Sequence, residues 1–151
     1  MRFATPAESA AIAELIRTAF EEYRGKRKPE SGALSETAET IAAAFANHAV
    51  IVAEASHQLV GCVLASRQGQ NLYLGRFAVH PDFRRHGIAG RLLSEAERHA
   101  RAIGAAAMTL GVRIALPDNF RYFAARGFRE TSREAHPGFG HPTSINMARR
   151  L

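Results

Sequence analysis

Arginine and glycine residues cluster at one point of the chain in a pattern that suits the binding of phosphate. The run from Arg84 and Arg85 through Gly87 to Gly90 stands between a strand-like apolar segment and the start of a helical pattern. A helix leaves its first backbone N–H groups unpaired and carries a partial positive charge at that end. Glycine lets an anion approach the backbone, and arginine adds forked donors. We therefore expect a pyrophosphate to bind here.

Two common phosphate-binding motifs do not fit this run. A P-loop needs lysine followed by serine or threonine after its glycines, whereas this chain continues with Arg91 and Leu92. The dinucleotide fingerprint needs three glycines in the pattern G-x-G-x-x-G, whereas only Gly87 and Gly90 are present. The expected anion site therefore belongs to another class.

The elements that would position this site follow from the spacing of the apolar residues. After a short initial strand, the pattern predicts helices that start at a Thr5-Pro6-Glu8 capping box, over 36–46, from Ile88 to Gly104, and between an Asp118 cap and Gly127. Further strands are predicted at 49–55, 58–66, 70–79, 105–111, 128–134 and 143–150. This order predicts a mixed α/β fold, with one mixed sheet of six or seven strands and helices on both faces.

The residues Arg84-Arg85-His86-Gly87-Ile88-Ala89 resemble motif A of the GNAT superfamily of acyl-CoA N-acyltransferases, which reads Q/R-x-x-G-x-G/A. The preceding strand ends in FAVHP, like the fourth strand of that family. The later run NFRYFAARGF resembles motif B, in which an asparagine precedes a short helix that closes in Gly-Phe. Two helices also follow the first strand, so the resemblance covers nearly the whole chain.

The resemblance implies an enzyme that moves an acetyl group from acetyl-CoA to a primary amine of a small molecule or peptide by direct attack, without a metal. The backbone of Phe77–Val79 would pair with the pantetheine arm and supply an N–H for the developing oxyanion, and a bulge would separate this strand from the one at 105–111. The implied coenzyme contacts are Phe77, Ala78, Val79, Arg84, Arg85, His86, Gly87, Ile88, Ala89, Gly90, Asn119 and Phe123.

The resemblance leaves the acid and the base open. Many members carry a tyrosine four residues before the motif B glycine, where this chain has Phe123 with Tyr122 beside it. Adjacent helical positions point about 100° apart, so Tyr122 is either a packed residue with its hydroxyl at the surface or the catalytic acid. The strand before motif A carries no acidic residue, and the candidates for the base are Glu21, Glu22, Glu54 and His80.

Composition limits the class of protein. A chain of 151 residues with 46% apolar content fits one domain, over 1–151. No apolar run approaches the roughly 18 residues of a membrane span, and the N-terminus lacks a signal segment. We therefore expect a soluble cytoplasmic protein. Cys62 lies in an apolar run and is expected to be buried and unreactive.

The formal charge of +6 indicates an anionic ligand and keeps two other classes open. One is a nucleic-acid-binding module, which is disfavoured because no exposed aromatic residues interleave with the basic ones. The other is an acyl-CoA-binding protein without catalysis. A basic run, Arg24 with residues 26–28, either guides an acidic acceptor or is a solvated loop. His136 and His141 are read as turn residues and not as metal ligands, and a homodimer is expected by analogy only.

Overall fold

A single sheet of seven strands runs through the molecule in the computed structural model, which describes residues 1–25 and 29–151. The strands are β1 (Arg2–Phe3), β2 (His48–Ala55), β3 (Gln58–Gln68), β4 (Asn71–Val79), β5 (Ala107–Arg113), β6 (Arg129–Glu134) and β7 (Ser144–Arg150). They lie in the order β1-β2-β3-β4-β5-β7-β6. Among these described strands, only the β4–β5 pair is parallel, which confirms the predicted mixed sheet.

Helices cover both faces of this sheet, as predicted. They are α1 (Ser9–Phe20), α2 (Ala38–Ala44), α3 (Ile88–Ala102) and α4 (Pro117–Ala124). Successive side chains of a strand point to opposite faces, so Val50 and Val52 pack with α1 and α2, while Ile51 and Ala53 pack with α3. No helix in the described residues has the length and apolar character that crossing a membrane requires.

Most helix ends lie where the local sequence signals predict them, and the start of α4 is an exception. Glu8 accepts a hydrogen bond from the Thr5 N–H at 3.0 Å, as a capping box requires, although the first turn is a 3-10 turn. Gly127 closes the end of α4 with a φ of 92°. The predicted Asp118 cap is wrong, because its carboxylate pairs with Arg121 at 2.7 Å and α4 begins at Pro117.

A β-bulge interrupts β4 opposite β3. Cys62 pairs with Ala78 and Leu64 pairs with Gly75, so β4 holds one more residue than β3 between these two positions. Arg76 lies in the bulge with a φ of 49°, a left-handed conformation that is uncommon for a residue with a side chain. The bulge implied by the family resemblance is therefore confirmed.

Candidate active site

The separation of β4 from β5 opens a cavity of about 540 Å³. The two strands pair only between residues 71–73 and 107–109 and diverge beyond that point. The second half of β4, the start of α3, α4 and the end of α1 form the walls. Every coenzyme contact implied by the resemblance lines this cavity except His86. The structure therefore brings together predicted residues that are up to 46 positions apart in sequence, from Phe77 to Phe123.

Unpaired backbone donors concentrate at the start of α3. The first hydrogen bond of this helix runs from the Arg91 N–H to the Gly87 carbonyl at 3.1 Å, and within the described residues no acceptor engages the N–H groups of residues 85–90. Arg85 and Gly87 adopt left-handed conformations, with φ values of 66° and 76°. Such residues ahead of a helix form concave groups of N–H donors that hold anions. The backbone here is therefore suited to a diphosphate.

The side chain of Arg84 is committed to a partner within the protein. Its guanidinium forms an ion pair with Glu22 and donates to the Ala19 carbonyl at 3.1 Å. Because these partners lie at and just after the end of α1, the contact joins the loop before α3 to that helix. Arg84 thus holds this loop in place and also lines the cavity.

Arg85 and His86 differ from Arg84 in their surroundings. Arg85 is exposed, lines the cavity and makes no ion pair within the described residues. His86 is exposed and its Nδ1 lies 2.8 Å from the Arg84 carbonyl and 3.1 Å from the Phe83 carbonyl. The imidazole thus contacts the carbonyl groups of the loop, while the backbone N–H of His86 is one of the unpaired donors.

Two phenylalanines face each other where the cavity enters the sheet. The rings of Phe77 and Phe123 lie 5.7 Å apart in an edge-to-face arrangement, and Phe128 packs against Phe123 at 5.6 Å.

The strand β4 is paired on one edge at this point. On the edge that faces β3, Ala78 pairs with Cys62 and Val79 pairs with Gly61. The edge of β4 that faces β5 is unpaired at these residues. An extended ligand can therefore add to this edge.

Tyr122 lies at the opposite end, beside the first turn of α3. Its hydroxyl is 4.0 Å from the position that a Cβ on Gly90 would occupy. Arg126 stacks over the ring, with its Cζ 3.5 Å from the centroid. Burial raises the pKa of the Tyr122 phenol above its ordinary value of 10.0, although Arg126 acts to lower it. The hydroxyl therefore faces the anion-binding backbone, and Phe123 occupies the place beside Phe77.

A second cavity of about 450 Å³ lies on the far side of the gap between β4 and β5. The residues that line both cavities are Phe20, Phe77, Asn119 and Phe123. Ionisable side chains around the second cavity include Glu30, Arg113, Glu134 and His136. Burial lowers the pKa of Arg113, whose guanidinium donates to the Pro29 carbonyl at 2.8 Å. The two cavities therefore meet at one aromatic constriction, with polar groups on the second side.

None of the predicted base candidates lines either of these two cavities. Glu21 pairs with Arg24 at 2.7 Å, which lowers the pKa of its carboxyl. Glu22 is held by Arg84. Glu54 and His80 border a separate depression on the surface beside β1. All four candidates are therefore displaced from the point at which the cavities meet.

Several residues that line the first cavity are not among the predicted site residues. Phe20 lies at the end of α1 and Tyr23 in the turn after it. Phe83 lies in the loop before α3, and Arg126 lies two residues after the end of α4. Only Arg126 was accessible to pattern reasoning, because it follows Asn119 by seven positions and therefore lies on the same side of a helix. Of the basic run, Arg24 is exposed, and residues 26–28 lie outside the described part of the chain.

The histidines in the loop between β6 and β7 have protein partners. The Nδ1 of His136 contacts the Thr143 hydroxyl, and the His141 ring packs edge-to-face against Phe139, with 5.9 Å between the ring centroids. Among the described residues, no three His, Cys, Asp or Glu side chains are grouped to hold a metal ion.

Known proteins share this architecture. The chain matches the family model of the acetyltransferase (GNAT) family over residues 10–128. No curated protein matches the chain in sequence. The structure of PaiA N-acetyltransferase from Thermoplasma acidophilum in complex with coenzyme A is 19% identical, with a TM-score of 0.82 over 99% of this chain and 97% of that chain.

Two further solved structures are similar to the chain. The ribosomal-protein-S18-alanine N-acetyltransferase from Escherichia coli is 18% identical, with a TM-score of 0.77 over 99% of this chain and 91% of that chain. The ribosomal-protein-alanine N-acetyltransferase from Brucella melitensis is 21% identical, with a TM-score of 0.74 over 99% of this chain and 98% of that chain. At this identity, these likenesses establish a shared fold.

Proposed function

We propose that this chain, which belongs to the acetyltransferase (GNAT) family, transfers an acetyl group from acetyl-CoA to a primary amine of a small molecule or peptide. The observation that carries the proposal is the row of unpaired N–H groups at residues 85–90, which opens onto a cavity that reaches the gap between β4 and β5. Coenzyme A has a diphosphate at one end of an extended pantetheine arm, and these two features match that chemical layout.

The coenzyme would lie along the cavity with its diphosphate at the start of α3. The pantetheine arm would add to the free edge of β4 at Phe77–Val79, next to Asn119 on α4. Its acetyl group would then reach the constriction between Phe77 and Phe123, where the second cavity begins. The acceptor amine would enter through the second cavity.

The reaction needs a proton acceptor, an oxyanion donor and a leaving group. As the amine nitrogen bonds to the acetyl carbon, the carbon–sulfur bond breaks and its electron pair leaves on the sulfur, while the base takes a proton from the amine. A backbone N–H of the bulged segment 77–79 would donate to the carbonyl oxygen. A thiol with a pKa of about 8.5 leaves as a thiolate without full protonation.

Tyr122 is better placed to contact the diphosphate part of the coenzyme than to protonate its leaving thiolate, because the Tyr122 hydroxyl lies beside Gly90. We therefore expect Tyr122→Phe to raise the KM for acetyl-CoA while it changes kcat little. A fall in kcat with an unchanged KM would instead identify Tyr122 as the acid.

The base would come from the second cavity, since the predicted candidates lie elsewhere. Glu30, Glu134 and His136 are the carboxylate and imidazole groups that line this cavity among the described residues. Single changes of each residue to Gln, followed by the pH dependence of kcat/KM, test this assignment. The variant that lacks the base loses the rise of rate with pH, and three profiles that match the unchanged protein would exclude all three groups.

Release of free thiol from acetyl-CoA across a panel of amines tests the function. The panel includes amino acids, polyamines, aminoglycosides and peptides with free N-termini, and mass spectrometry detects the acetylated product. Calorimetry with coenzyme A is run in parallel. Binding without thiol release on any amine would favour a non-catalytic acyl-CoA-binding protein, which Phe123 at the usual tyrosine position also suggests. Absence of coenzyme binding would exclude both functions.

A further inference from the structure

One face of α4 and the residues just after it line the coenzyme cavity in an ordered series. Asn119 and Phe123 also line the second cavity, whereas Tyr122 and Arg126 line only the first. Since the acetyl end of the ligand must lie where the cavities meet, the series runs from the acetyl end at Asn119 to the opposite end at Arg126. α4 therefore runs beside the coenzyme, and Arg126 marks its distal end.

Arg126 is held in a defined position by Tyr122. Its Cζ lies 3.5 Å from the centre of the tyrosine ring, and its Nη1 donates to the Tyr122 carbonyl at 3.0 Å. A guanidinium stacked on an aromatic face keeps the N–H donors at its outer edge available in the plane of the group. The stack thus orders a long side chain before any ligand binds.

The charge of Arg126 has no counter-ion among the residues that the structure describes. No carboxylate among the described residues forms an ion pair with it, although nearby arginines have such partners. Arg84 pairs with Glu22 and Arg121 pairs with Asp118 at 2.7 Å. A preordered cation that lines a ligand cavity without a counter-ion is suited to an anionic group of the ligand.

The same stack lies against the first turn of α3. The Tyr122 hydroxyl is 4.0 Å from the place of a Cβ on Gly90, so a single aromatic ring separates the guanidinium from the anion-binding backbone. The unpaired N–H groups of residues 85–90 already provide for the diphosphate. Arg126 is therefore placed for a further phosphate group, close to the diphosphate and farther from the acetyl end.

We propose that Arg126, stacked on Tyr122, binds the 3′-phosphate of the coenzyme A ribose and thereby distinguishes coenzyme A from its 3′-dephospho form. The proposal rests on the function proposed above, because it assumes that the cavity holds coenzyme A. In that ligand, the ribose 3′-phosphate is the anionic group that lies beyond the diphosphate as seen from the thiol.

The test compares the dissociation constants of coenzyme A and 3′-dephospho-coenzyme A by calorimetry. The unchanged protein binds coenzyme A about tenfold or more tightly, as expected for a charge-assisted hydrogen bond to phosphate. Arg126→Ala reduces this ratio to about one, because it weakens binding of coenzyme A and leaves binding of the dephospho form nearly unchanged. Arg126→Lys keeps part of the ratio, since it keeps the charge without the stacked plane.

Arg121→Ala is the matched control. It removes an arginine from the same helix, but one that is exposed, paired with Asp118 and outside the cavity. It retains the full ratio between the two coenzymes. Tyr122→Leu, which removes the stacking surface, lowers the ratio more than Tyr122→Phe, which retains it.

The outcomes separate this proposal from the proposed function. If Arg126→Ala keeps the ratio, or weakens both coenzymes equally, Arg126 does not read the 3′-phosphate, although the acetyltransferase assignment stands. If the unchanged protein binds both forms equally, the discrimination does not exist. If it binds neither form, the proposed function is wrong and the role of Arg126 is overturned with it.

Discussion

A negative charge placed on Gly90 is predicted to have opposite effects on folding and on coenzyme binding. Gly90 lies in the first turn of α3, and an added Cβ would meet only the Tyr122 hydroxyl, at 4.0 Å. The site therefore accepts a small side chain without displacing the core. Gly90→Asp introduces a carboxylate beside the unpaired N–H groups, whereas Gly90→Asn introduces a side chain of the same shape without the charge.

The two effects have different physical origins. In the free protein, a carboxylate near the helix N-terminus is stabilising by about 0.3–1 kcal/mol, which corresponds to a rise in Tm of about 1–4 °C for a chain of this size. In the complex, the same carboxylate lies close to the diphosphate. Two like charges about 5 Å apart at an effective dielectric constant of about 20 repel by about 3 kcal/mol. We therefore expect Gly90→Asp to bind coenzyme A about a hundredfold more weakly than Gly90→Asn.

Thermal denaturation of the free protein and calorimetry with coenzyme A measure both quantities on the same variants. The control pair, Ser94→Asp and Ser94→Asn, makes the same change on the exposed side of α3, outside the coenzyme cavity. Its two members bind coenzyme A equally. If Gly90→Asp and Gly90→Asn bound coenzyme A within threefold of one another at low salt, the diphosphate would not lie at this end of α3, and the central argument for the site would be refuted.

Other changes test the parts of the structure that support the site. Arg84→Ala removes the contacts with Glu22 and Ala19 and is expected to lower the free energy of unfolding by about 1 kcal/mol, which lowers Tm by about 2–4 °C. Arg85→Ala weakens coenzyme binding without changing Tm. The reverse pattern would contradict the assigned roles. Gly61→Ala brings a Cβ to 2.9 Å from Ile88 Cγ2 in the first turn of α3, so we expect overpacking to lower the free energy of unfolding by about 1–3 kcal/mol. Gly140→Ala is its control, because an added Cβ there meets no atom within 4 Å. Equal Tm values of the two variants would contradict the packing argument. Burial raises the pKa of the Cys62 thiol to about 12, so iodoacetamide at pH 8 reacts only as fast as the chain unfolds, and rapid reaction of the folded protein would show that the thiol is accessible.

Sequence alone predicted the elements whose signals are local. The glycine and arginine run before α3 and the apolar periodicity of α3 itself lie within twenty residues, so the sequence predicts the turn together with the helix that follows it. The proposed coenzyme site depends mainly on backbone geometry, and backbone geometry at a strand–loop–helix junction is set by near neighbours. The misread Asp118 cap shows the limit of this approach, because Arg121 competes for the same carboxylate.

The sequence did not predict the individual residues that line the second cavity, because they come from distant segments. Glu30 precedes α2, Arg113 ends β5, and Glu134 ends β6, and the fold brings all three to one cavity. No spacing rule in the sequence links them. The same holds for Arg84, whose partner Glu22 lies 62 positions earlier in the chain. The sequence therefore indicates Arg84 as a candidate phosphate ligand, but it does not indicate the contact between this side chain and the end of α1.

The bulge residue of β4, Arg76, makes contacts on the side of both cavities. Its residue Arg76 presents a carbonyl that accepts a hydrogen bond from the buried Cys62 thiol at 3.6 Å, while its guanidinium pairs with Glu36 at 2.8 Å and packs over Gly32. One end of Arg76 thus fixes the strand that would hold the pantetheine arm, and the other fixes the segment before α2 that borders the acceptor cavity. Because Arg76 contacts both β3 and the segment before α2, one residue joins the bulged part of β4, which lines the first cavity, to a segment that lines the second.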